Sequence, residues 1–290
     1  MFSAADAARF VDQAHQTRAA YVNLPEALAP RTLDEAYAAQ EALSGLWEKR
    51  LGPVAGRKIA TTTRIMQELM GIDHPCGGMI FASRIHSSPA AIRKSDYVNV
   101  RIECELAVRL GRDLPKEPKP YTRDSVRGAI GQVMAAFELI EDRNADYKSC
   151  KAMSLIADNA WNGGIVLGPG KAPPAGSDLN GIAGRVMRDG KEELAGKTDD
   201  PMGALAWVAN LAADSGRDGR QQGAVIALKE RWGGEAGREF RFSEPFHHRR
   251  SRSRKVRRRS VSGATGGVGV RRTFSDASEK SGCEECEQCG

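Results

Sequence analysis

The run VNVRIECELAVRLGRDLP, residues 98–115, decides how the chain is read. Side chains of a β-strand alternate between its two faces. Val98, Val100, Ile102, Cys104 and Leu106 therefore share one face, and all are apolar. Asn99, Arg101, Glu103 and Glu105 share the other. The segment predicts an amphipathic strand with two carboxylates on one side, about 6.5–7 Å apart at the backbone. Carboxylates that close repel, and one takes up a proton unless positive charge lies between them. A hard divalent cation, Mg²⁺ or Mn²⁺, meets that need with oxygen ligands and keeps positions open for water or substrate. A third carboxylate is then expected. Glu138 in AAFELIEDR (135–143) is the candidate, because it lies in an apolar strand-like run where an unpaired charge is costly. The competing reading of the same spacing is a solvent-facing strand whose glutamates pair with Arg101.

Working outward, residues 3–20 and 32–50 read as helices. The second opens with Thr32 and Glu35 at capping-box spacing and places Ala, Leu and Trp at helical intervals. TTTRIMQELMG (61–71) reads as a short helix stopped by Gly71. From about residue 78 strand-like runs take over: MIFAS (79–83), YVNVRIECELAVRL (97–110), AAFELIE (135–141), GIVLG (164–168) and GRVMRDG (184–190). A helix over 122–135 interrupts them, and DPMGALAWVANLAADSG (200–216) reads as an amphipathic helix. The pattern predicts an α+β protein. A helical N-terminal region over 1–75 precedes a mainly β catalytic domain over 76–228, and a tail without hydrophobic period covers 229–290.

The net charge of +6 is not shared along the 290 residues. Residues 1–240 hold 31 Lys/Arg and 31 Asp/Glu, while residues 241–290 hold 12 and 6. The balanced part is not a nucleic-acid binder on charge grounds. No apolar run approaches the roughly 18 residues of a membrane span. The N-terminus MFSAADAARFVDQAHQ lacks a basic start and an apolar run, so a cytoplasmic location is expected. Cys76, Cys104 and Cys150 are scattered, which fits a reducing compartment.

Several segments, in order, carry a resemblance: DEAYAAQ (34–40), GRKIATTT (56–63), MQELMGIDHP (66–75), RIECELAVRLGRDLP (101–115), AAFELIEDR (135–143), SLIADNAWNGGIVLG (154–168) and the 200–216 helix. Together they resemble the 2-keto-4-pentenoate hydratase and 4-oxalocrotonate decarboxylase group of the fumarylacetoacetate hydrolase superfamily. The resemblance covers roughly residues 5–225. It implies a mixed β-roll or barrel preceded by helices, and Mg²⁺ or Mn²⁺ on Glu103, Glu105 and Glu138. It implies water addition to a small 2-hydroxy-dienoate or its 2-oxo-enoate tautomer in aromatic-compound catabolism. A 2-oxo acid decarboxylase, a C–C hydrolase and a catalytically impaired homologue are the alternatives. Lys58 and Asp158 are then the expected catalytic residues, with Asn159, Asp73 and Arg143 at the substrate. A homo-oligomer is expected.

The chain departs from the group at Ala60, where glycine is usual, at Cys76, often acidic in the hydratases, and at Trp161, where serine is usual. The closing strands of the family are not legible. In their place HHRRSRSRKVRRRS (247–260) lies in a stretch, 245–272, with ten Lys/Arg and no acid. Such a composition predicts disorder. Three origins fit it: translation out of the ancestral frame, a polybasic arm over 249–272 for RNA or acidic surfaces, or a metal-binding end using Cys283, Cys286 and Cys289.

Overall fold

The computed structural model describes residues 1–214, 223–234, 240–242 and 269–271. The basic stretch at 249–268 and the terminal cysteines lie outside the described residues. Helix α1 (Ala4–Gln16) starts where the Ser3 side chain accepts from the Asp6 amide. Helix α2 (Leu33–Leu51) uses half of the expected capping box: Thr32 accepts from the Glu35 amide, but Glu35 turns to the Arg31 amide at 2.7 Å. Ala7, Ala8 and Val11 of α1 pack on Ala39, Leu43 and Trp47 of α2. Asp12 ties the pair, accepting from Trp47 Nε1 at 2.9 Å and Arg50 at 2.7 Å.

The chain then forms β1 (Val54–Ala60), α3 (Arg64–Met70), β2 (Cys76–Phe81), β3 (Ile85–Ser87), β4 (Ala90–Ala91) and β5 (Val100–Leu110). After α4 (Arg123–Arg127) come β6 (Ile130–Glu141), α5 (Ala152–Ala157), β7 (Asn162–Leu167), β8 (Ala183–Arg188), β9 (Lys191–Lys197), α6 (Pro201–Asp214), β10 (Val225–Gly234), β11 (Phe240–Phe242) and β12 (Gly269–Arg271). The helix expected over 122–135 stops at Arg127, and a strand starts at Ile130. Gly111 and Gly131 face each other at the end of the β5–β6 ladder, where a Cβ on either would come within 3.0 Å of the other's Cα. That close approach, which only glycine permits, lets β6 begin early and overrides the helical spacing.

Seven strands form one mixed sheet in the order β2-β1-β10-β5-β6-β7-β3. β1 runs parallel to β10 and β3 to β7; the other pairs are antiparallel. The two end strands, β2 and β3, are consecutive in sequence and joined by a three-residue 3₁₀ turn at Ala82–Arg84. The sheet therefore curls until its ends meet covalently. Of the expected β-roll or barrel, the closed barrel is not formed: no ladder among the described residues closes β2 onto β3. Ile80, Ile85 and Ile165 pack together across this seam instead.

Three layers cover the outside of the curl. Helices α1, α2 and α5 lie on Met79 and Phe81. Helices α4 and α6 cover Ile59, Leu106, Val108 and Ile226. A second sheet, in the order β4-β12-β11-β8-β9, packs Val186 and Leu194 on Ile102, Cys104, Phe137 and Val166. Each fully buried large side chain here contributes about 1.5–3 kcal/mol. The inside is filled at one end by Ala107, Met134, Ala136, Ile165, Val225 and Ala227. By alternation, the same strand faces carry polar residues at the other end.

Candidate metal centre

The β5–β6 register sets Glu103 directly opposite Glu138, and Glu105 opposite Ala136. Alternation points all three carboxylates into the curl, above the apolar plug. One oxygen of each lies within 4.8 Å of the others. Glu105 is 2% exposed, Glu138 is 0%, and Glu103 is half-buried. The three acidic residues expected from sequence are thus brought together.

Lys58, on the inner face of β1 and 1% exposed, joins them: its Nζ donates to Glu138 Oε1 at 3.0 Å. Asn162, at the start of β7, donates from Nδ2 to the same oxygen at 2.9 Å. The other oxygen, Oε2, is buried without a hydrogen-bond partner among the described residues. Burial raises the pKa of Glu138; Lys58 opposes the rise and the Glu103 charge adds to it. A divalent cation would favour the ionised form and occupy the unpartnered oxygen, so these residues fit such an ion. Gly78 of β2 lets the cluster pack this tightly. A Cβ there would stand 2.7 Å from the Asn159 carbonyl oxygen and 3.3 Å from Lys58 Cγ.

The remaining expected site residues lie elsewhere. Asp158, 1% exposed, accepts from Arg143 at Oδ2, and its Oδ1 is hydrogen-bonded to His15 Nε2 at 2.6 Å. Arg143 also donates to the Ala19 carbonyl and lies over the Tyr21 ring. These two residues fasten α1 and the segment after it to the strands, and Asp158 has both carboxylate oxygens engaged. Asn159 behaves as a piece of backbone: it accepts from the Met79 amide at 2.7 Å and donates to the Met79 carbonyl at 2.9 Å. Asp73 is exposed in the turn between α3 and β2. Register places that turn at the polar end of the curl, since Ala60 pairs with Cys76 there.

Two supports escaped sequence reasoning. Asn162 stands as a lone amide in the apolar run AWNGGIVL, which was the available signal. Asp142, 0% exposed, accepts from Arg101 Nε at 2.5 Å, Asn99 Nδ2 at 2.7 Å, Tyr147 at 3.1 Å and the Asn144 amide at 2.9 Å. It anchors Arg101 two residues before Glu103; nothing local in sequence announces that contact.

No protein-family profile matches the chain. The 2-oxo-hept-4-ene-1,7-dioate hydratase of Escherichia coli is 31% identical over 210 residues, covering 69% of this chain and 76% of that protein. The 2-keto-4-pentenoate hydratase of Paraburkholderia xenovorans is 29% identical over 219 residues, covering 73% and 79%. In structure, the 4-oxalocrotonate decarboxylase of Pseudomonas putida G7, complexed with magnesium and adipate, superposes with a TM-score of 0.74 at 19% identity, over 93% of this chain and 97% of that one. A mixed sheet of this order, covered outside by helices and a second sheet, is the fumarylacetoacetate hydrolase type of fold. Within that class the chain belongs to the 2-keto-4-pentenoate hydratase and 4-oxalocrotonate decarboxylase group. No helix among the described residues is long and apolar enough to cross a membrane.

Proposed function

We propose that the chain is a metal-dependent hydro-lyase that adds water to a small 2-hydroxy-dienoate, through its 2-oxo-enoate tautomer, in aromatic-compound catabolism. The observation that carries this reading is the convergence of Glu103, Glu105 and Glu138 beside a fully buried lysine. The three carboxylates would hold Mg²⁺ or Mn²⁺. Bound there, the ion supplies Lewis-acid polarisation of the substrate's C2 oxygen.

The protein's own groups do the rest. Lys58, buried in the inner wall with its Nζ held by Glu138 Oε1, is the group that moves protons at substrate carbon. Protonation at C5, with the C2 hydroxyl giving up its proton, yields the 2-oxo-3-enoate. Water then adds its hydroxyl at C4 and its proton goes to C3. Asn162 holds Glu138 in place. Asp158, Arg143 and Asn159 act as positioning residues by fixing α1, β2 and β7 around the site, and Asp73 stands at the polar end, where substrate enters. The same ligand set serves decarboxylation and C–C hydrolysis, so the hydratase assignment leans on the sequence relatives. We place the enzyme in the cytoplasm as a homo-oligomer, as is common in the group.

The test is hydration of 2-hydroxypenta-2,4-dienoate with Mg²⁺ or Mn²⁺, followed by loss of dienoate absorbance. Wild type is expected to turn over, and Glu105→Ala to lose at least about 10²-fold in kcat/KM. Equal rates in the two proteins would remove the metal from the reaction.

A further inference from the structure

A second polar cavity lies outside the metal centre. It is a cleft of about 230 Å³ between the ends of α1 and α2 and the seam of the curled sheet. None of the three glutamates lines it. Four arginines do: Arg18, Arg50, Arg84 and Arg143. Among the described residues two carboxylates face them, Asp96 and Glu141. Both acids are engaged: Asp96 accepts from Arg93 at 3.2 Å, and Glu141 accepts from the Val98 and Asn99 amides at 3.0 Å each. The carboxylates that pair with Arg50 and Arg143, Asp12 and Asp158, do not line the cleft. Arg50 and Arg143 are thus balanced from behind the wall and Glu141 keeps its charge, so the modest cationic excess of the cleft is carried by Arg18 and Arg84. Tyr97 organises two of the arginines, since Arg18 donates to its carbonyl at 2.7 Å and Arg84 meets its hydroxyl.

Two buried polar groups in the lining lack partners among the described residues. Arg143 is 2% exposed and its Nε has none; Asn162 is 8% exposed and its Oδ1 has none. Buried polar atoms in native proteins are normally satisfied, so unpartnered ones beside a cavity point to a bound group. Trp47, Leu51 and Phe81 supply an apolar wall. Guanidinium groups match planar carboxylates in two-point contacts, and the apolar wall suits a hydrocarbon body.

We propose that this cleft is a second ligand site, for a small carboxylate with an apolar body, separated from the metal centre by Asn162. Asn162 touches both, through Glu138 on one side and the cleft on the other. Occupancy of the cleft can thus be felt at a metal ligand. The site stands on its own geometry and does not depend on the hydratase reading.

The test is calorimetric titration of the full chain, without added divalent metal, using pentanoate as probe and inorganic phosphate as the contrasting anion. Pentanoate is expected to bind saturably. Arg84→Gln and the more exposed Arg18→Gln should each raise its Kd about tenfold or more, while Glu105→Ala leaves it unchanged. If Arg84→Gln fails to fold by circular dichroism, Arg18→Gln carries the test. No saturable binding to wild type, or binding lost in Glu105→Ala and kept in the arginine variants, overturns the proposal. Phosphate binding as tightly as pentanoate through the same arginines overturns the carboxylate assignment.

Discussion

Glu138 is fully buried, and two donors, Lys58 and Asn162, meet the same one of its oxygens. Removing a group that orients a metal ligand typically costs about 10–100-fold in metal affinity. Asn162→Ala is therefore expected to weaken Mn²⁺ binding by that factor, read by calorimetry. A variant with wild-type affinity would show that Asn162 does not support the centre. Asp12 offers a pH-dependent counterpart. Burial alone would raise its pKa, but the hydrogen bond and charge of Arg50, with Gln16 and Trp47, outweigh burial and hold it below the usual 3.8. A depressed carboxyl pKa adds stability above the ordinary value, and that stability is lost as pH falls through the lower, folded value. Asp12→Asn should cost about 1–3 kcal/mol at pH 7, and the gap to wild type should narrow as pH falls below 3.8, by urea unfolding. At this scale the sequence showed the triad because alternation in 98–106 is a local rule. The Glu138 partners were not legible because Lys58 and Asn162 lie 80 and 24 residues away from it.

The elements that were easiest to read carry their own signals. Thr32 and Gly71 mark helix ends by side-chain and backbone capping, and each does so in the structure. Strand β1 was harder, since VAGRKIA alternates poorly and earns its place from neighbours on both sides. The 122–135 segment misled because its helical spacing is real, while the β5–β6 pairing that overrides it is tertiary. Tight element contacts also yield predictions. Gly78→Ala would drive a methyl to 2.7 Å from the Asn159 carbonyl oxygen. That oxygen cannot retreat easily, because the Asn159 side chain is bonded twice to Met79. A loss of about 1–3 kcal/mol is expected, read as a lowered Tm. Asn159→Ala leaves the Met79 amide and carbonyl unpaired, at about 1–3 kcal/mol for each group. Unchanged melting in both variants would mean that β2 is held by other contacts.

For the whole molecule, the decisive strand is β10, which sits between β1 and β5 near the middle of the sheet. Its backbone runs through Gly234, past the point near Leu228 where hydrophobic patterning fades. A chain ending at Asp214 lacks the strand that joins β2-β1 to β5-β6-β7-β3. It is expected to be unfolded or insoluble, measured by circular dichroism and recovery in the soluble fraction. A soluble, native-like product would show that the two halves hold together through helices alone. The general architecture followed from element types read in sequence; the placement of β10 did not, because strand order is set by contacts nearly 120 residues apart, as between Val225 and Arg109.

That placement has a consequence for biosynthesis. The ribosome makes the keystone after the other six strands of its sheet. Until residues 225–234 clear the exit tunnel, β1 and β5 each wait with an open hydrogen-bonding edge. Such edges invite pairing between nascent copies. A translational stall after β5 has emerged but before residues 225–234 should therefore cost more soluble protein than one placed before β1.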